Sequence, residues 1–80
     1  MDLEFDKAFG KRLRRLRMEK GLTQERLAAR LQLLGCDITR SALAKMEAGQ
    51  RYVYLDELTA LHKALNVSWE TLMEGCCPEL

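Results

Sequence analysis

Residues 23–49 read TQERLAARLQLLGCDITRSALAKMEAG and carry the clearest helix signals of the chain. Two short segments with apolar residues at helical spacing flank Gly35, and glycine is the residue type that most readily ends a helix. Thr23 and Thr39 each stand at the start of one segment. A hydroxyl at that position accepts a backbone N–H that the first helical turn leaves unpaired. The stretch therefore predicts two capped helices joined by a turn.

An apolar residue precedes each threonine, and a leucine follows four residues after it. Leu22 is matched in this way with Leu27, and Ile38 with Leu43. Contact between two such residues fixes the angle at which the chain enters a helix. We therefore expect both helices to begin at angles that the local sequence determines.

The spacing of apolar residues predicts three further helices and no strand. The five predicted helices cover about residues 6–20, 24–34, 40–48, 55–65 and 68–74. The buried side of the second helix is expected to comprise Leu27, Ala28, Leu31 and Leu34. We predict an all-α fold, a compact five-helix bundle in a single domain over residues 1–80. Its core would extend from about residue 5 to residue 75, with a loose tail over residues 76–80.

Length and composition exclude several classes of protein. Folding of 80 residues buries roughly 60–65% of the extended-chain surface, and the apolar content suffices for a bundle without disulfides or metal. The sequence lacks a run of ~20 apolar residues, and its acidic start is unlike a signal peptide. We therefore expect a soluble, cytoplasmic protein without a membrane partner. The three cysteines are expected to be free thiols, and a metal or redox role for Cys76 and Cys77 is the less favoured alternative.

The sequence offers no set of residues for catalysis. It contains one histidine, two serines and no glycine-rich phosphate loop, so a nucleophile, a base and an orienting group cannot be assembled. His62 is expected to lie at the edge of the core. We predict that the protein is not an enzyme and needs no cofactor, metal or small-molecule ligand.

Charge is unevenly distributed along the chain, although the net charge is only +1. Nine basic residues and two acidic ones lie between Lys7 and Arg30, whereas residues 56–80 hold five acidic residues and one lysine. A molecule polarised in this way can present a cationic face to phosphate. The alternative for Arg12, Arg14 and Arg15 is a merely solvated helix face, and we expect this of two of the three.

Three segments carry a resemblance to a known family. TQERLA at residues 23–28, ITRSALAKMEAGQR at residues 38–51 and ALNVSWETL at residues 64–72 resemble the helix-turn-helix domain of the Cro and phage-repressor (XRE) family. The resemblance covers roughly residues 8–75 and implies a lambda-repressor-like DNA-binding fold. The chain differs in the turn, where residues 32–38 add about one helical turn.

In helix-turn-helix proteins the second helix of the motif enters the major groove by its N-terminal residues. At the start of the third helix, Arg40 can donate to O6 and N7 of guanine, and Ser41 can donate or accept. Lys45 reaches the next base or a phosphate, while Ala44 keeps the surface slim. The resemblance gives Gln24 a phosphate contact. The predicted DNA-contacting residues are Gln24, Thr39, Arg40, Ser41, Ala44, Lys45, Gln50 and Arg51.

The resemblance also implies an ion pair between Arg17 and Glu47, which we expect to be structural. Trp69 and Met73 are candidate dimer contacts, since a short last helix cannot bury its whole apolar side. We predict a sequence-specific regulator of transcription that binds double-stranded DNA as a homodimer, acting as a small repressor. The alternative is a protein-interaction module that has this fold but no base-specific DNA binding.

Overall fold

The computed structural model describes residues 3–76, and all regular structure in that range is helical. The helices are α1 (Leu3–Glu19), α2 (Gln24–Leu33), α3 (Arg40–Glu47), α4 (Leu55–Leu65) and α5 (Trp69–Met73). The all-α five-helix prediction is confirmed, although α1 begins three residues earlier than expected. Within the described range, none of the helices combines the length and the apolar character that crossing a bilayer requires.

Side-chain hydroxyls cap the helices where the sequence indicated. Thr23 Oγ1 accepts from the Arg26 N–H at 3.1 Å, and Thr39 Oγ1 accepts from the Ala42 N–H at 3.1 Å. Ser68 caps α5 in the same manner. Each cap satisfies one backbone donor that the first turn leaves free, so the start of each helix is fixed locally.

The turn after α2 closes through Gly35, whose φ of 83° lies in the left-handed region. The Gly35 N–H donates to the Gln32 carbonyl at 3.0 Å, and the Cys36 N–H donates to the Leu31 carbonyl at 2.9 Å. These two bonds are the Schellman arrangement. The chain reverses at this point, so Cys36 packs against the core while Leu34 is 49% exposed. The prediction that Leu34 lies on the buried side of the second helix is therefore wrong.

All five helices contribute to one apolar core. Its largest fully buried side chains are Phe9, Leu13, Leu27, Leu31, Ile38, Leu43, Met46, Leu61, Leu65 and Leu72. Cys76 is also buried and belongs to this cluster, so the predicted loose tail is wrong at that residue. The remaining predicted tail, including Cys77, lies outside the described residues.

Helix α1 lies in direct contact with the C-terminal end of α3, and Gly10 makes this possible. A Cβ built on Gly10 would collide with the Met46 carbonyl oxygen and would lie 2.7 Å from the Glu47 carbonyl oxygen. Only glycine therefore fits between the two backbones. This close approach places α1 beside the helix that the sequence selects for DNA contact.

Candidate nucleic-acid interface

Helix α3 buries one side and exposes the other. Leu43 and Met46 are fully buried, whereas Arg40, Ser41 and Lys45 are exposed. The neighbouring Thr39 is exposed and Ala44 is half-buried. No other part of the described chain covers the polar side chains at the start of α3, and the helix is therefore free to meet a ligand.

The start of α2 and the start of α3 lie side by side. Gln24 and Arg40 line a common surface depression of about 260 Å³, together with Arg17, Thr23 and Glu25. The Arg40 Nε lies 3.8 Å from Glu25 Oε1, but both side chains are exposed. Because an exposed ion pair contributes little, this contact does not hold Arg40 away from a ligand.

Arg17 and Glu47 form a bidentate ion pair between α1 and α3. Arg17 Nε donates to Glu47 Oε2 at 2.7 Å, and Arg17 Nη2 donates to Glu47 Oε1 at 3.0 Å. Arg17 Nη1 also donates to the Leu22 carbonyl at 2.8 Å, and Gln24 Nε2 donates to Glu47 Oε1 at 3.2 Å. The side chains of Arg17 and Glu47 are only 12% and 4% exposed. The network joins three helices and orients Gln24 at the start of α2.

A second ion pair, which sequence reasoning missed, involves Arg51. Its Nη1 and Nη2 donate to the two carboxylate oxygens of Glu57, each at 2.8 Å. Glu57 Oε1 also accepts from the Tyr54 N–H at 2.9 Å, which caps α4. The bonds from Arg51 lower the pKa of the Glu57 carboxyl, as does the Tyr54 N–H, while burial opposes the shift. The spacing of Glu57 three residues after Tyr54 was a signal for the cap of α4, but not for the pair with Arg51. Gln50 beside them is exposed.

The candidate dimer contacts lie on α5. The Trp69 ring stacks on the His62 ring of α4, with centroids 4.1 Å apart and planes 11° from parallel. Trp69 remains 42% exposed, whereas Met73 is half-buried and packs against the core. Trp69 therefore presents apolar surface at the end of the bundle, and Met73 presents less.

Comparison with known proteins gives consistent matches. A family model described as helix-turn-helix matches residues 13–72. The HTH-type transcriptional activator BcrR of Enterococcus faecalis is 34% identical over 67 residues, which are 84% of this chain and 30% of BcrR. Control protein C.BamHI of Bacillus amyloliquefaciens is 34% identical over 67 residues, which are 82% of this chain and 76% of that protein.

The prophage-derived HTH-type transcriptional regulator YonR of Bacillus subtilis is 40% identical over 67 residues, which are 84% of this chain and 57% of YonR. The chain thus spans less than two thirds of BcrR and of YonR. No solved structure matches the chain significantly. The family match over most of the chain agrees with the five-helix fold and with the exposed start of α3. The chain belongs to the XRE-type helix-turn-helix family of DNA-binding transcriptional regulators.

Proposed function

We propose that the protein reads the major groove of double-stranded DNA with α3 and represses transcription as a homodimer. One observation carries the proposal: Arg40, Ser41 and Lys45 are exposed at a place where Arg40 borders Gln24 at the start of α2. In a helix-turn-helix protein the second helix of the motif reads bases while the first crosses the phosphate backbone. The two helix starts lie close enough for both contacts to fall on one duplex.

Base reading would fall to the first turns of α3. Arg40 can donate two hydrogen bonds to O6 and N7 of a guanine, a contact that discriminates against the wrong base by about 1–3 kcal/mol. Ser41 is short enough to bond a base edge next to it. Lys45, one turn further, would reach the following base or a phosphate. The small Ala44 lets the backbone of α3 approach the groove.

Phosphate contacts would hold the protein in register. Gln24 is the first residue of a ten-residue helix, where free N–H groups and the positive end of the helix dipole favour an anion. Gln50 would add a contact from the loop after α3. Arg51 has five N–H donors, and its bonds to Glu57 and to the Tyr52 carbonyl use three of them. Two donors therefore remain for a phosphate.

A homodimer would supply the specificity that one helix lacks. Two half-sites about 34 Å apart roughly double the number of bases that are read. We place the contact between copies at Trp69 and Met73, because Trp69 exposes apolar surface at one end of the bundle. A repressor can act simply by occupying its DNA site, and it needs no catalysis to do so. We therefore propose a cytoplasmic DNA-binding protein without enzymatic activity.

The salt dependence of binding to a random duplex tests the proposal. Fluorescence anisotropy would follow a labelled duplex at several salt concentrations. We expect the logarithm of affinity to fall linearly with the logarithm of salt, with a slope near −0.9 per phosphate contact. Gln24→Ala should weaken binding to all sequences alike. If the wild type binds no duplex even at low salt, the protein-interaction module becomes the better interpretation.

A further inference from the structure

We infer that α1 is a third DNA-contacting element, and that Lys7, Lys11 and Arg14 form a row that binds phosphates beside α3. We call these three residues the α1 row. The inference rests on the proposed function, because it concerns the same duplex. It extends the interface beyond α2, α3 and the following loop to a helix that none of the predicted contacts used.

The geometry of α1 turns this row toward the interface. Gly10 lies against the carbonyl groups at the C-terminal end of α3, so its position around the axis of α1 marks the side of α1 that faces α3. At about 100° per residue, Arg14 lies about 40° from Gly10 and Lys7 about 60°, both on the same side. Arg17 lies about 20° to the other side and pairs with Glu47. Lys11 lies about 100° from Gly10, on the outer side of the row, so Lys7 and Arg14 are the members that border the contact with α3.

Contacts in the structure place both ends of the row next to the proposed interface. Arg14 lines a depression of about 380 Å³ together with Gln24 and Ala44, which belong to the predicted DNA-contacting residues. At the other end, a Cβ built on Gly49 would lie 2.9 Å from Cα and Cγ of Lys7. Lys7 is thus packed against the turn that precedes Gln50. A duplex lying on α3 would have its phosphates beside both ends of the row.

Apart from Arg17, the three arginines of α1 differ in what they bind. Arg12 donates to the Thr71 carbonyl at 2.8 Å and to a Glu74 carboxylate oxygen at 2.9 Å, so it ties α1 to the last helix. Arg15 pairs with Glu19 at 3.3 Å on its own helix. Arg14 is exposed and forms no hydrogen bond or ion pair with any side chain of residues 3–76. Its guanidinium is therefore available to an external anion.

The chemistry of the depression favours phosphate. Glu47, the carboxylate that lines this depression, is paired with Arg17 and nearly buried. The remaining lining at this point is small, amide-bearing or cationic, and it adjoins the positive end of the α2 dipole. Lys7 and Arg14 stand about 10 Å apart along the helix axis. Such a row follows successive phosphates and carries no base preference.

The test compares three variants with the wild type. Arg14→Ala removes one cation of the row, and the double change Lys7→Ala with Arg14→Ala removes two of its three cations. Lys63→Ala, at an exposed site of α4 that lines a depression with Leu34 and Cys36, removes one charge elsewhere and controls for net charge. Fluorescence anisotropy would give the affinities for a random duplex and for a preferred duplex, which is one that the wild type selects from a random pool, at about 50 and 200 mM salt. Circular dichroism would verify that each variant is folded.

We expect Arg14→Ala to weaken binding to both duplexes by the same factor and to reduce the magnitude of the salt slope by about 0.9. The double variant should reduce the magnitude of the slope by about 1.8. The defect of Arg14→Ala would then be about 3.5-fold larger at 50 mM than at 200 mM salt. Lys63→Ala should leave the slope unchanged. If Arg14→Ala keeps the wild-type slope, or weakens only the preferred duplex, the α1 row does not contact phosphates, although the proposed function stands. If the wild type binds neither duplex, the proposed function itself fails.

Discussion

Removing one partner of the Arg17–Glu47 pair should destabilise the protein more than removing both. The Glu47 side chain is 4% exposed in the wild type, so Arg17→Met would leave its carboxylate buried with only the Gln24 amide as a side-chain donor. Stranding a buried charge in this way costs about 3–5 kcal/mol. A domain of this length has a free energy of unfolding of about 4–12 kcal/mol, so Arg17→Met should lose a large part of it.

The double variant Arg17→Met with Glu47→Leu leaves no charge to strand, and we expect it to be more stable than Arg17→Met alone. Urea unfolding of the wild type, both single variants and the double variant gives the coupling energy, which should exceed about 2 kcal/mol. The exposed pair Arg15–Glu19 serves as a control with an expected coupling of about 0.3–0.5 kcal/mol. If the effects of the two single variants add up to that of the double variant within about 0.5 kcal/mol, the two charges are not coupled.

Three further predictions concern other parts of the fold. Gly10→Ala should lower the free energy of unfolding, measured by urea melts, by about 1–3 kcal/mol, because the new methyl group collides with the backbone of α3. Alanine stabilises an unobstructed helix relative to glycine, so a higher free energy of unfolding would contradict this collision. Because the pKa of Glu57 is lowered on folding, its stabilising contribution is present above pH 4.5 and is lost as the pH falls below that value. The Tm of Glu57→Gln should therefore fall less steeply than that of the wild type as the pH is lowered. If the two profiles of Tm against pH are the same, the Arg51–Glu57 pair does not cause the loss of stability in acid. Trp69→Ala should shift sedimentation toward the monomer, and an unchanged sedimentation coefficient would remove Trp69 from the dimer contact.

Local sequence predicted the parts of the fold that depend on neighbouring residues. The caps at Thr23 and Thr39, and the helix end at Gly35, involve hydrogen bonds between residues at most five positions apart. Such bonds depend on residue type and spacing alone. The outward placement of Arg40 and Lys45 follows from helical periodicity once α3 begins at the cap.

Contacts between distant segments were not predictable from the sequence. Leu34 continues the apolar pattern of α2, but the left-handed Gly35 reverses the chain before that residue reaches the core. Cys76 is buried because the chain after α5 returns to the bundle. Arg51 and Glu57 are only six residues apart, but it is the conformation of the loop between α3 and α4 that brings them together, and neither capping nor periodicity encodes that conformation. Which apolar residues of α2 reach the core, and where the chain after α5 returns to it, depend on how the helices pack together, which no local pattern encodes.

The proposed function depends on the start of α3 reading base edges. The most direct measurement is the base preference of the wild type and of Arg40→Ala, each obtained by selecting bound duplexes from a random pool. We expect Arg40→Ala to lose the preference for guanine at one position of each half-site, at a cost of about 1–3 kcal/mol, while the other positions persist. If the two preferences are identical, Arg40 does not read a base and the proposed orientation of α3 in the groove is wrong.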